Sequence, residues 1–206
     1  MMPVLNEEKH LEQAVASVFA QEIPTGFSAE LILALGPSSD QTDSVATALS
    51  KSHKNLKTVA NPYGLTSAGL NLAIGLAAGE VIIRVDAHSK LTAGYVKTAV
   101  ELLELNPKIG NVGGVMLAEG EDDFTSAVAW AYRSRYGLGG GKFHTGGEAG
   151  PVDTVYLGVF RKSVLLEAGL FDQAVVRGQD WELNQRIRAL GHLVWFDPRL
   201  EVVYQP

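Results

Sequence analysis

The chain has 206 residues, enough for one α/β domain with a substantial core. It is 46% hydrophobic and 19% charged, with a net charge of −6 and no basic block, which argues against nucleic acid as its main partner. There is no cysteine, so disulfides and thiolate metal sites are excluded; no apolar run approaches the roughly 18 residues of a membrane span, and no signal peptide is visible.

Met1 to Leu5 is apolar but short for a comfortable core strand. Asn6 then offers an N-cap, with Glu7 and Glu8 suited to a first helical turn and Leu11, Ala14, Val15, Val18 and Phe19 at helical spacing. Glu30 to Leu35 reads as a strand, Thr42 or Asp43 to about Leu49 as a helix, and Leu56 to Val59 as a short strand. The turn Asn61-Pro62-Tyr63-Gly64 leads into a small-residue helix, Thr66 to Ala78, with Gly79 as its cap. Strand and helix repeated in this way predict parallel strands with right-handed crossovers.

Val81 to Val85 is a β-branched run, the pattern of a buried parallel strand. It breaks into Asp86-Ala87-His88-Ser89. In an extended segment Asp86 and His88 point to one side, where a carboxylate and an imidazole could ligate one divalent cation; an Asp/Ser turn is the competing reading. Arg84 shares their parity, and a buried guanidinium needs either a core carboxylate or an anionic ligand.

Beyond this point a helix is expected from Ala93 to Leu105, a strand from Asn111 to Leu117 and a helix from Asp123 to Tyr136. Gly137 to Gly150 is glycine-rich and carries Lys142 and His144. It reads either as a mobile loop over a substrate or as a plain connector. Asp153 to Phe160 is strand-like, Arg161 to Glu167 a short helix, and Gly178-Gln179-Asp180-Trp181-Glu182-Leu183 opens a helix with Leu183, Ile187 and Leu190 as its apolar stripe. Asp180 is a natural helix cap as well as a candidate functional acid, and Trp181 is either a packing residue or a platform beside it. Leu193 to Phe196 is a last strand, turned by Asp197-Pro198. No internal repeat or linker divides the chain, so 1–206 is expected to form a single domain.

Taken together, four segments resemble the family 2 inverting glycosyltransferases of GT-A fold. They are Pro3 to Glu8; Asn61-Pro62 through Asn71 and Ala77 to Glu80; Asp86-Ala87-His88, in the place of an Asp-X-Asp motif; and Gln179 to Leu183 followed by Arg186, in the place of the late Glu-Asp motif. Gly146-Gly147-Glu148 and Val152-Asp153-Thr154-Val155-Tyr156 are similar to segments of that family's succinoglycan-biosynthesis, ExoA-like branch. The resemblance implies an α/β, GT-A, Rossmann-like mostly parallel sheet flanked by helices. It further implies a nucleoside-diphosphate sugar donor, a UDP-sugar ahead of a GDP-sugar, with Mn²⁺ or Mg²⁺ on its pyrophosphate, and a glycan or polyprenyl-linked acceptor.

On this resemblance Asp180 is the catalytic base, and Asp86 and His88 are the metal-site residues. Pro3, Leu5, Glu7, Asp86 and Ala87 contact the donor nucleotide. Trp181, His144, Lys142 and Arg84 are candidate acceptor or loop contacts. A histidine in the second motif position favours Mn²⁺. The chain departs from the family at Leu35 and Gly36, where many members carry paired acids for the nucleoside, and it lacks the Gln-X-X-Arg-Trp motif of processive synthases. The first strand is expected to be clipped and the chain to be a catalytic fragment of a protein working at the cytoplasmic membrane face. A non-catalytic nucleotide-sugar-binding or scaffold domain is the alternative. A dinucleotide oxidoreductase is disfavoured, because no Gly-X-Gly-X-X-Gly follows the first strand.

Overall fold

A computed structural model describes residues 1–134 and 141–205. Strand β1 (Met2–Val4), helix α1 (Leu11–Phe19), β2 (Leu31–Leu35), α2 (Thr42–Ser52) and β3 (Leu56–Ala60) build a parallel sheet in the order β1–β2–β3. Short as it is, β1 is a core strand: Met2 and Val4 are buried, because β2 flanks one side and the 83–85 segment the other. Met1 N donates to Ile83 O, and Val85 N donates to Met1 O.

Asn6 does not cap α1. It sits at φ 56°, a left-handed conformation that asparagine tolerates, and its side chain accepts from Ser39 N at 2.8 Å. The helix therefore starts at Leu11, and Asn6 ties the loop after β1 to the loop after β2. After α3 (Thr66–Leu76) the cap is Ala77 rather than Gly79, and Ala78 N bonds to Glu30 Oε1.

The expected strand from Val81 shortens to β4 (Val81–Ile83) and runs antiparallel to β8 (Tyr156–Arg161). A β-branched run reports burial on both faces and carries no information on direction, which only the partner strand decides. The ladder ends at Ile83 because β8 breaks opposite it. Leu157 (φ 60°) and Gly158 (φ 99°) are left-handed, and a Cβ on Gly158 would lie 2.5 Å from Asn111 Oδ1. Residues 84–88 are thereby released from the sheet, and the chain re-enters it as β5 (Ser89–Leu91), a strand the sequence pattern does not signal.

The elements between β5 and β8 are α4 (Tyr95–Leu105), β6 (Ile109–Ala118), α5 (Asp123–Arg133), α6 (Lys142–Thr145) and β7 (Gly150–Pro151). After β8 come α7 (Lys162–Glu167), α8 (Gln179–Ala189) and β9 (Leu193–Tyr204). The second sheet runs β4–β8–β6–β9–β5, with β7 paired to β9; β6 and β9 are parallel and the other pairs antiparallel. Asp197-Pro198 does not end β9. Phe196 pairs with Gly113 and Glu201 with Val115, so residues 197–200 bulge out and pairing resumes. Residues 137–140 of the glycine-rich segment lie outside the described part; from Lys142 that segment forms the α6 turn.

The α/β class is thus the one expected. Successive residues of β2 serve different cores: Leu31 and Leu33 join the cluster of Leu11, Val85, Ala87 and Tyr95, while Ile32 and Ala34 join that of Leu70, Phe160, Leu183 and Phe196. Helices on both faces leave the strand ends as the open edge of the fold.

Candidate active site

Alternation survives in the released segment 84–88 even though the ladder has ended. Val85 and Ala87 are buried in the core, 2% and 1% exposed, so Arg84, Asp86 and His88 face the other way. They line a cavity of about 250 Å³ closed by Pro3, Leu5 and Glu7 after β1 and by Asn61, Gly64 and Thr66 before α3. The five residues expected at the donor nucleotide, Pro3, Leu5, Glu7, Asp86 and Ala87, all line this one cavity. In the sequence Asn61, Gly64 and Thr66 read only as a turn and a helix start. No periodicity could place them there, because the β3–α3 loop reaches the cavity through the parallel pairing of β1, β2 and β3.

His88 Nδ1 lies 2.7 Å from Glu7 Oε1, which joins the β1 loop to the β4 end. Burial pushes the imidazole pKa down, but the Glu7 hydrogen bond and the Asp86 charge outweigh it, so the pKa stands above its ordinary value. With Nδ1 held by Glu7, Nε2 is the nitrogen left for a ligand. Both Asp86 oxygens are held by Arg84, Nε to Oδ1 at 3.0 Å and Nη2 to Oδ2 at 3.2 Å; each oxygen keeps a further lone pair. Among the described residues there is no group of three or more His, Cys, Asp or Glu that could hold a metal ion. Asp86 and His88 are two side chains of this cavity whose chemistry could hold a cation, through a free carboxylate lone pair and through Nε2.

Asp180 does not line this cavity; it meets the site through Arg84 from helix α8. Gly178 (φ 77°) opens α8, so Asp180 falls in the first helical turn and makes no capping bond. Its carboxylate accepts instead from Arg84 Nη1, with Oδ1 at 2.5 Å. The helix is fixed from beneath by buried Leu183 and Ile187 and by Asn184, which accepts from Asn111 Nδ2 and donates to Thr154 Oγ1. Leu190 leaves the expected stripe and is 44% exposed, since the helix ends at Ala189. Burial raises the Asp180 pKa; Arg84 opposes the rise and Asp86 adds to it, leaving it pushed up to about 6. About a fifth of its side chain (22%) still reaches solvent.

The remaining expected contacts divide. Trp181 is not a packing residue: it is 57% exposed beside Asp180. Lys142 and His144 do not line the cavity. Lys142 Nζ donates to Glu148 O at 2.9 Å and lies over Phe196. Among the described residues His144 approaches the site through rings, packing on Tyr132, which meets Tyr204, whose ring centroid is 5.2 Å from His88. Tyr204 carries no signal in the sequence; it arrives through the pairing of β9 with β5.

An α/β fold with a strand-end Asp-X-His facing a cavity, joined through one arginine to a helix-borne acid, has the outline of a GT-A glycosyltransferase. Residues 1–168 match the family description "Glycosyl transferase family 2", and the chain belongs to that family. The match stops short of Asp180, which two full-chain relatives include in their alignments. Succinoglycan biosynthesis protein ExoA of Rhizobium meliloti (strain 1021) is 28% identical over 208 residues, covering 100% of this chain and 62% of its own length.

The second relative, a dolichyl N-acetyl-alpha-D-glucosaminyl phosphate 3-beta-D-2,3-diacetamido-2,3-dideoxy-beta-D-glucuronosyltransferase of Methanococcus voltae, is 26% identical over 211 residues. It covers 99% of the chain and 65% of its own length. The chain thus spans less than two thirds of either protein. Among solved structures, the mannosyltransferase PcManGT of Pyrobaculum calidifontis, in complex with GDP-Man and Mn²⁺, superposes with a TM-score of 0.75 at 21% identity, over 99% of this chain and 55% of that one. GalNAc-T7, with UDP, GalNAc and Mn²⁺, gives 0.75 at 16% identity over 98% and 42%. At those identities the likeness speaks for the fold.

Proposed function

We propose that this chain is a divalent-cation-dependent, inverting glycosyltransferase. It would move a hexose from a nucleoside-diphosphate sugar, UDP-linked ahead of GDP-linked, to a hydroxyl of a glycan or polyprenyl-linked acceptor. Exopolysaccharide or cell-envelope synthesis at the cytoplasmic face of the membrane is the setting we infer, with the membrane surface as a partner of a longer protein; among the described residues no helix is long and apolar enough to cross a membrane. The observation that carries the reading is that Asp86 and His88 line one cavity while Arg84, in the same lining, bonds both Asp86 and Asp180. The Mn²⁺-bound GT-A neighbours and the polysaccharide-synthesis relative support it.

In this reading Asp86 and His88 Nε2 hold Mn²⁺ or Mg²⁺, which when bound neutralises charge on a leaving diphosphate. Pro3, Leu5, Glu7 and Ala87 shape the nucleotide's seat, and Glu7 keeps the His88 ring in register. Asp180 takes the proton of the acceptor hydroxyl as that oxygen attacks the anomeric carbon. A carboxylate titrating near 6 is a stronger base than an ordinary one while still ionised at neutral pH. One displacement assisted by one base inverts the anomeric centre. Trp181, exposed beside the base, offers the acceptor an aromatic face.

The decisive experiment is a thermal-shift and turnover screen of UDP, GDP and their sugars with Mn²⁺ and Mg²⁺. A cation-dependent rise in melting temperature with one donor, and transfer that Asp180→Asn abolishes, supports the reading. Undiminished transfer by Asp180→Asn refutes the assignment of the base.

A further inference from the structure

Arg84 is the side chain the proposed chemistry leaves without a task, although it is the most constrained group in the site. It is 5% exposed, and its backbone N–H donates to Gly158 O at 3.1 Å, opposite the left-handed break in β8. Nε and Nη2 hold the two oxygens of Asp86, and Nη1 holds Asp180 across 96 positions of sequence. One planar fork thus bonds two acids that belong to different halves of the fold.

We propose that Arg84 is a positioning residue that fixes the base carboxylate of Asp180 relative to the cation-side carboxylate of Asp86. The inference rests on the function proposed above. A fork of five N–H donors can satisfy two carboxylates at once, whereas a lysine ammonium is a point charge on a flexible stem and must favour one of them. Without the guanidinium, two acids would face each other in a half-dry site, and Asp180 would swing away from its partner. A misplacement of about 1 Å costs on the order of 10²-fold in rate. The same guanidinium also offsets the charge that Asp86 presents to a cation. Its removal should therefore act in opposite directions on the two halves of the site, slowing transfer while strengthening cation binding.

The test compares wild type, Arg84→Gln and Arg84→Lys in three measurements: kcat and donor KM, affinity for Mn²⁺ alone by electron paramagnetic resonance, and melting temperature. For Arg84→Gln we expect kcat to fall about 10²-fold with donor KM changed far less, and Mn²⁺ to bind several-fold more tightly. A structural role alone would weaken everything together, so Mn²⁺ affinity equal to or below wild type overturns the inference. Should Arg84→Gln fail to fold, Arg84→Lys decides. Wild-type kcat in that variant overturns the inference, and low kcat with Mn²⁺ affinity retained supports it. If wild type transfers no sugar, the proposed function fails, and the Mn²⁺ comparison still judges whether Arg84 restrains Asp86.

Discussion

The strand end at Arg84–His88 and the helix start at Gly178–Leu183 deliver acids to the same guanidinium by different physics. At the strand end, local geometry does the sorting: side chains alternate, Val85 and Ala87 go to the core, and Asp86 and His88 go to the cavity. At the helix start local geometry misleads, because an acid in a first turn has a satisfactory local use as a cap. Gly178 takes the cap position, and Asp180 turns to Arg84. A functional residue is legible where its local alternative is poor and hidden where that alternative is good.

The largest expected effect strikes the helix side alone. Asp180→Asn should lower kcat by about 10²–10⁴-fold with donor affinity nearly unchanged in calorimetry; lost donor affinity would mean that the two regions are not separable. The strand side breaks most severely through its neighbour. Gly158→Ala forces a left-handed alanine, about 1–2 kcal/mol, and drives its methyl into Asn111, about 1–3 kcal/mol more. Chemical denaturation should register the sum, and a variant as stable as wild type would show that the break in β8 is not needed to release residues 84–88.

Glu7→Gln removes the carboxylate that orients His88. It should weaken Mn²⁺ binding by about 10–100-fold in calorimetry while leaving stability nearly intact; unaltered affinity would remove His88 from the metal site. The pH dependence sharpens the helix side further. Asp180 must lose its proton to act, so transfer should climb as pH rises through about 6. The sign for stability is opposite. The folded chain keeps a proton that the unfolded chain has lost, so this carboxyl's contribution is full below 3.8 and fades as pH rises through about 6. The melting temperature of wild type minus that of Asp180→Asn should therefore fall across that window. The smallest effect belongs to Trp181→Ala, within about 0.5 kcal/mol in stability; its consequence should appear in acceptor KM.

Much of the architecture is legible in the sequence. The parallel opening of the chain follows from strand–helix alternation, and Pro3, Leu5, Glu7, Asp86 and Ala87, grouped by the family resemblance, line one cavity. Locally, Asn6 and Asp180 each suit a helix cap; tertiary bonds to Ser39 and Arg84 claim their side chains instead.

The sequence by itself determined the α/β class, the common side shared by Asp86 and His88, and the family the motifs resemble, because those are properties of short periodicity and spacing. Only the tertiary structure decided the direction of β4, the arrival of Tyr204 beside His88, and the partner of Arg84. A hydrogen bond across 96 residues has no local signature. The arginine had to find a carboxylate, and which one depended on how α8 packs against the edge of the sheet.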